Sequence, residues 1–82
     1  MMNKKIDFPQ YRKYKNNKVY FKIHSETTWE ELHLLKGNAV LYTFTAKILP
    51  DRNYLEDLTY NYAAHWDVVD AAAYEALKDK LT

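Results

Sequence analysis

Residues 18–24 most restrict what this chain can become. Val19, Phe21 and Ile23 alternate with Lys18, Tyr20, Lys22 and His24. A period of two with one apolar face describes an antiparallel strand buried on one side. Asn16-Asn17 stands just before it, and Asn tolerates the positive φ that a tight hairpin turn requires. Residues 10–25 therefore read as a β-hairpin whose first strand carries Tyr11, Arg12, Lys13 and Tyr14.

A second hairpin is expected next. Residues 27–35 rise to Lys36-Gly37-Asn38, and residues 39–49 return. The only glycine of the chain sits in that turn, where a positive φ is expected. On the return strand Val40, Tyr42, Phe44, Ala46 and Ile48 share one face. Thr43, Thr45 and Lys47 share the other, with Leu41 and Leu49 at the ends. Residues 28–35 also admit a short helix, with Thr28 as cap, Glu31 three residues on and Leu32 and Leu35 at helical spacing. The strand reading is preferred because the turn runs straight into a strong strand.

Pro50-Asp51 marks a break. Residues 53–62 fit two patterns, since Tyr54, Leu58 and Tyr62 recur every four residues while Tyr54, Glu56, Leu58, Tyr60 and Tyr62 alternate. The frequency of Tyr and Thr and the absence of a good cap favour strand. His65 to Val68 reads as a last short strand. Asp70 is a suitable N-cap for a helix over 71–81 that buries Tyr74, Leu77 and Leu81, with Val69 and Tyr74 able to form a hydrophobic staple. The expected fold is α+β: an antiparallel meander of about five strands with one C-terminal helix packed on a face. Residues 1–82 form a single domain, of which 1–7 are a frayed arm.

Composition narrows the function classes. The 82 residues include no cysteine, which excludes disulfides, thiolate metal sites and Cys nucleophiles. One glycine leaves no room for a phosphate-binding Gly-rich loop or a nucleophile elbow. The longest apolar run is four residues, far short of the roughly 20 that span a bilayer, and the start of the chain lacks a signal peptide's apolar run. A cytoplasmic location and no membrane partner are expected. Charge is uneven. Residues 1–22 carry seven basic side chains against Asp7 alone, a net of +6, whereas residues 23–82 carry a net of −5. Such a split suits either a basic contact surface or attraction between the two parts.

The layout of strand, turn and strand, then Trp66-Asp67-Val68-Val69-Asp70 leading into Tyr74-Glu75-Ala76-Leu77, resembles small bacterial α+β domains of unknown function. Its Lys-, Asn- and Tyr-rich usage is similar to that of Bacteroidota proteins. The resemblance is specific over about the last third of the chain, and it implies no activity, cofactor or catalytic residue.

Chemistry is sparse. His24, His33 and His65 lack metal-ligand spacing, and only a spatial gathering of His24, His33 and Glu31 could hold zinc. No metal and no cofactor are expected. Glu30-Glu31 and Glu56-Asp57 are adjacent pairs whose members face opposite sides of a strand, so neither is a shared carboxylate site. No nucleophile has a base beside it, so no catalytic residue is assigned. The candidate binding residues are Arg12, Lys13, Tyr14, Lys18, Tyr20 and Lys22 on the basic hairpin, and Tyr60, Tyr62 and Trp66 near the C-terminus. Bases interleaved with rings suit single-stranded nucleic acid, where cations track phosphate and rings stack on bases. Tyr and Trp clusters also suit a protein interface, and eight tyrosines exceed what so small a core can bury with every hydroxyl satisfied. The expected function is a non-catalytic binding or accessory module acting on another protein, with weak nucleic-acid binding as the alternative. The oligomeric state is open at this level.

Overall fold

The computed structural model describes residues 7–82. The expected N-terminal arm, apart from Asp7, lies outside them. The elements run β1 (Gln10–Tyr14), β2 (Val19–Ile23), β3 (Thr28–Leu35), β4 (Asn38–Thr45), α1 (Leu49–Tyr60), β5 (Trp66–Val68) and α2 (Ala71–Leu81). Both hairpin turns form where expected. Asn17 takes φ 64° and Gly37 takes φ 83°, the left-handed values that tight turns need. Residues 28–35 are strand, paired with β2 on one side and β4 on the other.

Among the described residues the sheet has five antiparallel strands in the order β4-β3-β2-β1-β5. Four of them form the expected meander. The fifth departs from it, pairing with β1 at the far edge through Tyr14↔Trp66, Lys13↔Asp67 and Arg12↔Val68. The chain reaches that edge through α1, so the described residues form two helices rather than one.

Residues 53–62 were expected to be strand, and the structure corrects this to helix over most of the segment. The apparent break at Pro50-Asp51 is the helix start. Proline suits the first turn, where its missing N–H is not needed. The Asp51 carboxylate accepts from the Lys47 and Ile48 N–H groups at 3.0 and 3.4 Å. The helical spacing of Leu55 and Leu58, both buried, then outweighs the β preference of the tyrosines.

Opposite residues in the ladders share a face, and the two faces bury different clusters. On one, Phe21, Ile23, Trp29 and Trp66 pack with Leu55 and Leu58 of α1. On the other, Tyr11 and Leu32 pack with Tyr74 of α2, joined by Tyr20, Ala39, Leu41, Val69 and Leu77. The sheet is thus a middle layer between two helices. Helix α2 starts directly after Asp70; its Tyr74 is fully buried, while Leu77 and Leu81 are half-buried at its margin.

This layering changes the reading of β4. The face bearing Val40, Tyr42 and Phe44 is the open one, and Ala39 and Leu41 point into the cluster under α2. Helix α1 packs on β2 and reaches Trp29 of β3 through Tyr54, which leaves Val40, Tyr42 and Phe44 of β4 partly exposed.

Candidate functional site

The hairpin lysines and Arg12 split by parity. Arg12 is buried on the α1 face, 2% exposed. Its Nε donates to the Leu58 carbonyl at 2.9 Å and one Nη to that of Thr59 at 3.2 Å, while the other Nη donates to the Tyr11 carbonyl at 2.8 Å. The guanidinium also lies 4.0 Å from the centre of the Tyr62 ring. Arg12 therefore closes the C-terminal turn of α1, whose last carbonyls have no helical partner and carry the negative end of the helix dipole. Burial lowers its pKa, and the facing Tyr62 works the other way.

The remaining hairpin lysines largely meet carboxylates of the acidic half. Lys13 and Lys15 reach Asp67 at 3.2 and 2.9 Å, and Lys22 reaches Glu75 at 2.7 Å. Hydrogen bonds from Lys15 and then Lys13 hold the Asp67 carboxyl below its ordinary value. Among the described residues Lys18 alone of this set has no side-chain hydrogen bond or ion pair. The rings scatter as well. Tyr14 stacks on Trp66 with centroids 5.9 Å apart, and Tyr20 is half-buried beside α2. Tyr62 serves Arg12, and Trp66 is buried with its indole N–H lacking an acceptor among the described residues. Tyr60 is exposed. The candidate residues 12–22 do not share one surface, and Tyr60, Tyr62 and Trp66 do not form one patch.

Glu30 and Glu31 lie on opposite faces, each in its own network. Glu30 is buried and accepts from the Tyr74 hydroxyl at 2.6 Å, Lys78 Nζ at 3.0 Å and a ring nitrogen of His24 at 2.8 Å. Burial works to raise its pKa, but the hydrogen bonds from Tyr74, Lys78 and His24 outweigh this and leave it lowered. The hydroxyl of Tyr74 is raised in turn, chiefly by burial and then by the bond to Glu30. This network ties α2 to the sheet. Glu31 accepts from the Trp29 indole N–H at 3.0 Å and contacts His33 at 2.8 Å. His24 and His33 thus sit on opposite sides, and His24, His33 and Glu31 do not converge.

A shallow depression of about 590 Å³ lies among Tyr14, Lys15, Tyr54, His65 and Trp66. Its rings are packed on each other, with Tyr54 and Trp66 edge to face at 5.9 Å. A second feature is the open side of the second hairpin. Phe44 stacks on Trp29 at 4.9 Å, and Tyr42 meets His33 edge to face at 4.9 Å. Glu31 thereby fixes both rings against which β4 displays its aromatics. Val40, Tyr42 and Phe44 remain 36, 47 and 38% exposed in a row, with Leu35 exposed at the tip and Ile48 and Leu49 exposed at the base. Strand β4 is a sheet edge of eight residues, Asn38–Thr45, without a charge or a proline. Exposed apolar rows of this kind mark interaction surfaces, and unprotected edges invite pairing. The sequence reading placed these three side chains on one face but did not single them out. The signal available was the absence of charge over 38–45.

No protein-family model matches the chain, and no curated protein or solved structure is found to match it. The fold and the surface chemistry are therefore the whole basis for a functional reading. No helix among the described residues is long and apolar enough to cross a membrane.

Proposed function

We propose that this chain is a non-catalytic interaction module that binds protein through the open face and free edge of the β3–β4 hairpin. The observation that carries the reading is the row Val40, Tyr42 and Phe44 on an uncharged edge strand. Rings held by stacking and by the Glu31 hydrogen bonds are pre-organised, so little side-chain entropy is lost when a partner covers them. The ionisable groups favour a structural part. Glu30, Glu75 and Asp67 each neutralise a lysine of the same chain, and Arg12 closes a helix.

The same pairing argues against a strong phosphate site on the basic hairpin. Single-stranded oligonucleotide is expected to bind with Kd no tighter than roughly 10⁻⁵ M at physiological salt, in the non-specific range. A titration at two salt concentrations tests this. Tight binding at physiological salt, lost in Lys18→Glu, would favour the nucleic-acid alternative.

The module reading is tested by photo-crosslinking in cells. A benzophenone side chain replacing Tyr42 is expected to trap a discrete protein adduct, and the same group at Tyr60, exposed on α1, is not. Adducts at position 60 with none at 42 would overturn the assignment of the surface.

A further inference from the structure

The free edge of β4 has the geometry to pair with itself. The Ala46 N–H donates to the Thr27 carbonyl at 2.7 Å, and the Leu34 N–H turns the other way, to the Lys18 carbonyl at 2.9 Å. With the register Leu34↔Ala39 through Thr28↔Thr45, these two bonds fix the alternation along the hairpin. Val40, Tyr42 and Phe44 direct their main-chain groups inward to β3. Ala39, Leu41, Thr43 and Thr45 direct theirs outward, to nothing among the described residues.

We propose that the occupant of this edge is a second copy of the same chain, joined β4 to β4 in antiparallel fashion about a two-fold axis through Tyr42. This rests on the reading of the β3–β4 surface given above and names its partner. Antiparallel pairing of a strand with its copy keeps each face of the sheet on one side, so paired residue numbers must sum to an even value. A sum of 84 is the register that uses all four outward residues within the strand. Leu41 of one copy then exchanges main-chain hydrogen bonds with Thr43 of the other, and Ala39 does so with Thr45. On the open face Tyr42 meets Tyr42, and Val40 meets Phe44. Aromatic and aromatic–β-branched cross-strand pairs are among the stabilising ones.

Three further observations favour a copy over a foreign chain. No residue of Asn38–Thr45 is charged, so the pairing sets no like charges opposite each other. The whole chain carries only +1, so two copies repel weakly. The arrangement also brings the tip of one hairpin, with exposed Leu35, to the base of the other, with exposed Ile48 and Leu49. Each end of the apolar row thereby finds apolar surface. The flanking Lys36 and Lys47 lie near each other across the junction, so added salt should leave association unchanged or strengthen it. Phosphate binding has the opposite dependence. The contact sits at the small end of interface sizes, and a dissociation constant of roughly 10⁻⁵ M is expected.

The chain has no cysteine, which makes the register testable. At the two-fold position the Tyr42 Cα atoms would be about 4.5 Å apart, within the span of a disulfide. The Thr43 Cα atoms would be about 8–9 Å apart, beyond it. Under mild oxidation at about ten times the expected Kd, Tyr42→Cys should be converted largely to covalent dimer and Thr43→Cys should not. Sedimentation of the unmodified chain over the same range should show reversible dimer. Tyr42→Lys, which sets two cations opposite each other, should weaken dimerisation at least tenfold with its circular dichroism unchanged. Equal crosslinking of both cysteine variants, or a chain monomeric throughout, would overturn the pairing. A monomer whose position-42 photo-crosslinker still traps a protein of different mass would overturn self-pairing alone and leave the interaction module standing. A chain with no adduct at all would overturn both.

Discussion

The two edges of this sheet are built in opposite ways. Strand β5 is three residues long and places Asp67 against Lys13 and Lys15. Strand β4 is eight residues long, uncharged and continuous in register, with aromatics on its open face. Short length and charge are the usual means of keeping an edge from pairing with other chains. The β5 edge has both and the β4 edge has neither. The half of the sheet near β5 also lies beneath α1 and the Arg12 bonds, while the open side of β4 has no such cover among the described residues. The contrast separates a covered half of the sheet from an open edge, the edge proposed above as the interaction surface.

That division fails if substitutions in the covered half prove cheap or if those on the open hairpin unfold the chain. The largest effect is expected from Leu58→Ala, since Leu58 is fully buried between α1 and the sheet. It should cost roughly 2–5 kcal/mol in chemical denaturation. Arg12→Ala should come next, at roughly 2–4 kcal/mol, because it orphans buried carbonyls of Leu58 and Thr59 as well as removing the donor. Leu77→Ala, at a half-buried position, should cost less than Leu58→Ala in the same titration, and a larger loss would mean that α2 carries more of the core than the layering implies.

Tyr74→Phe sharpens the picture through pH. It removes one donor to buried Glu30 and should cost about 1.5 kcal/mol near neutrality. Glu30 has a folded pKa below its ordinary value of 4.5. Its contribution is therefore complete well above pH 4.5 and is lost as pH falls through that value toward the folded pKa. The variant should show a shallower loss of stability between pH 5 and 3, and an unchanged acid limb would remove Glu30 from the account. The smallest effect is expected from Tyr42→Lys, within about 0.5 kcal/mol of the parent in thermal unfolding, since its side chain is exposed on the open face outside both buried clusters. A loss of several kcal/mol there would make the open hairpin part of the core.

Much of the fold was legible in residue order. Alternation over 19–23 and the two turns dictated both hairpins, and the strong helix formers after Asp70 dictated α2, although the Asp70 side chain makes no capping hydrogen bond. Residues 53–62 were not legible because the two periodicities of 3.6 and 2 coincide at Tyr54, Leu58 and Tyr62. A choice between them needs to know which residues find a buried partner, and Leu55 with Leu58 find Phe21 and Trp66. The candidate surface was less legible still. Arg12 and the hairpin lysines look alike in a sequence, yet one is a helix closure and others are ion pairs, because their partners lie 46 to 54 residues away.

By itself the sequence determined what is local: strand period, turn positions, the absence of thiol and Gly-loop chemistry, and the uneven charge. These follow from backbone sterics and composition, which act over a few residues. Only the tertiary structure decided which face of β4 is open, which edge β5 takes, and that Lys13, Lys15 and Lys22 of the basic first 22 residues pair with Asp67 and Glu75 of the remainder. Each depends on where α1 and α2 lie across the sheet. Each helix covers only part of its face, and the β4 side of the α1 face stays open among the described residues because α1 packs over β2.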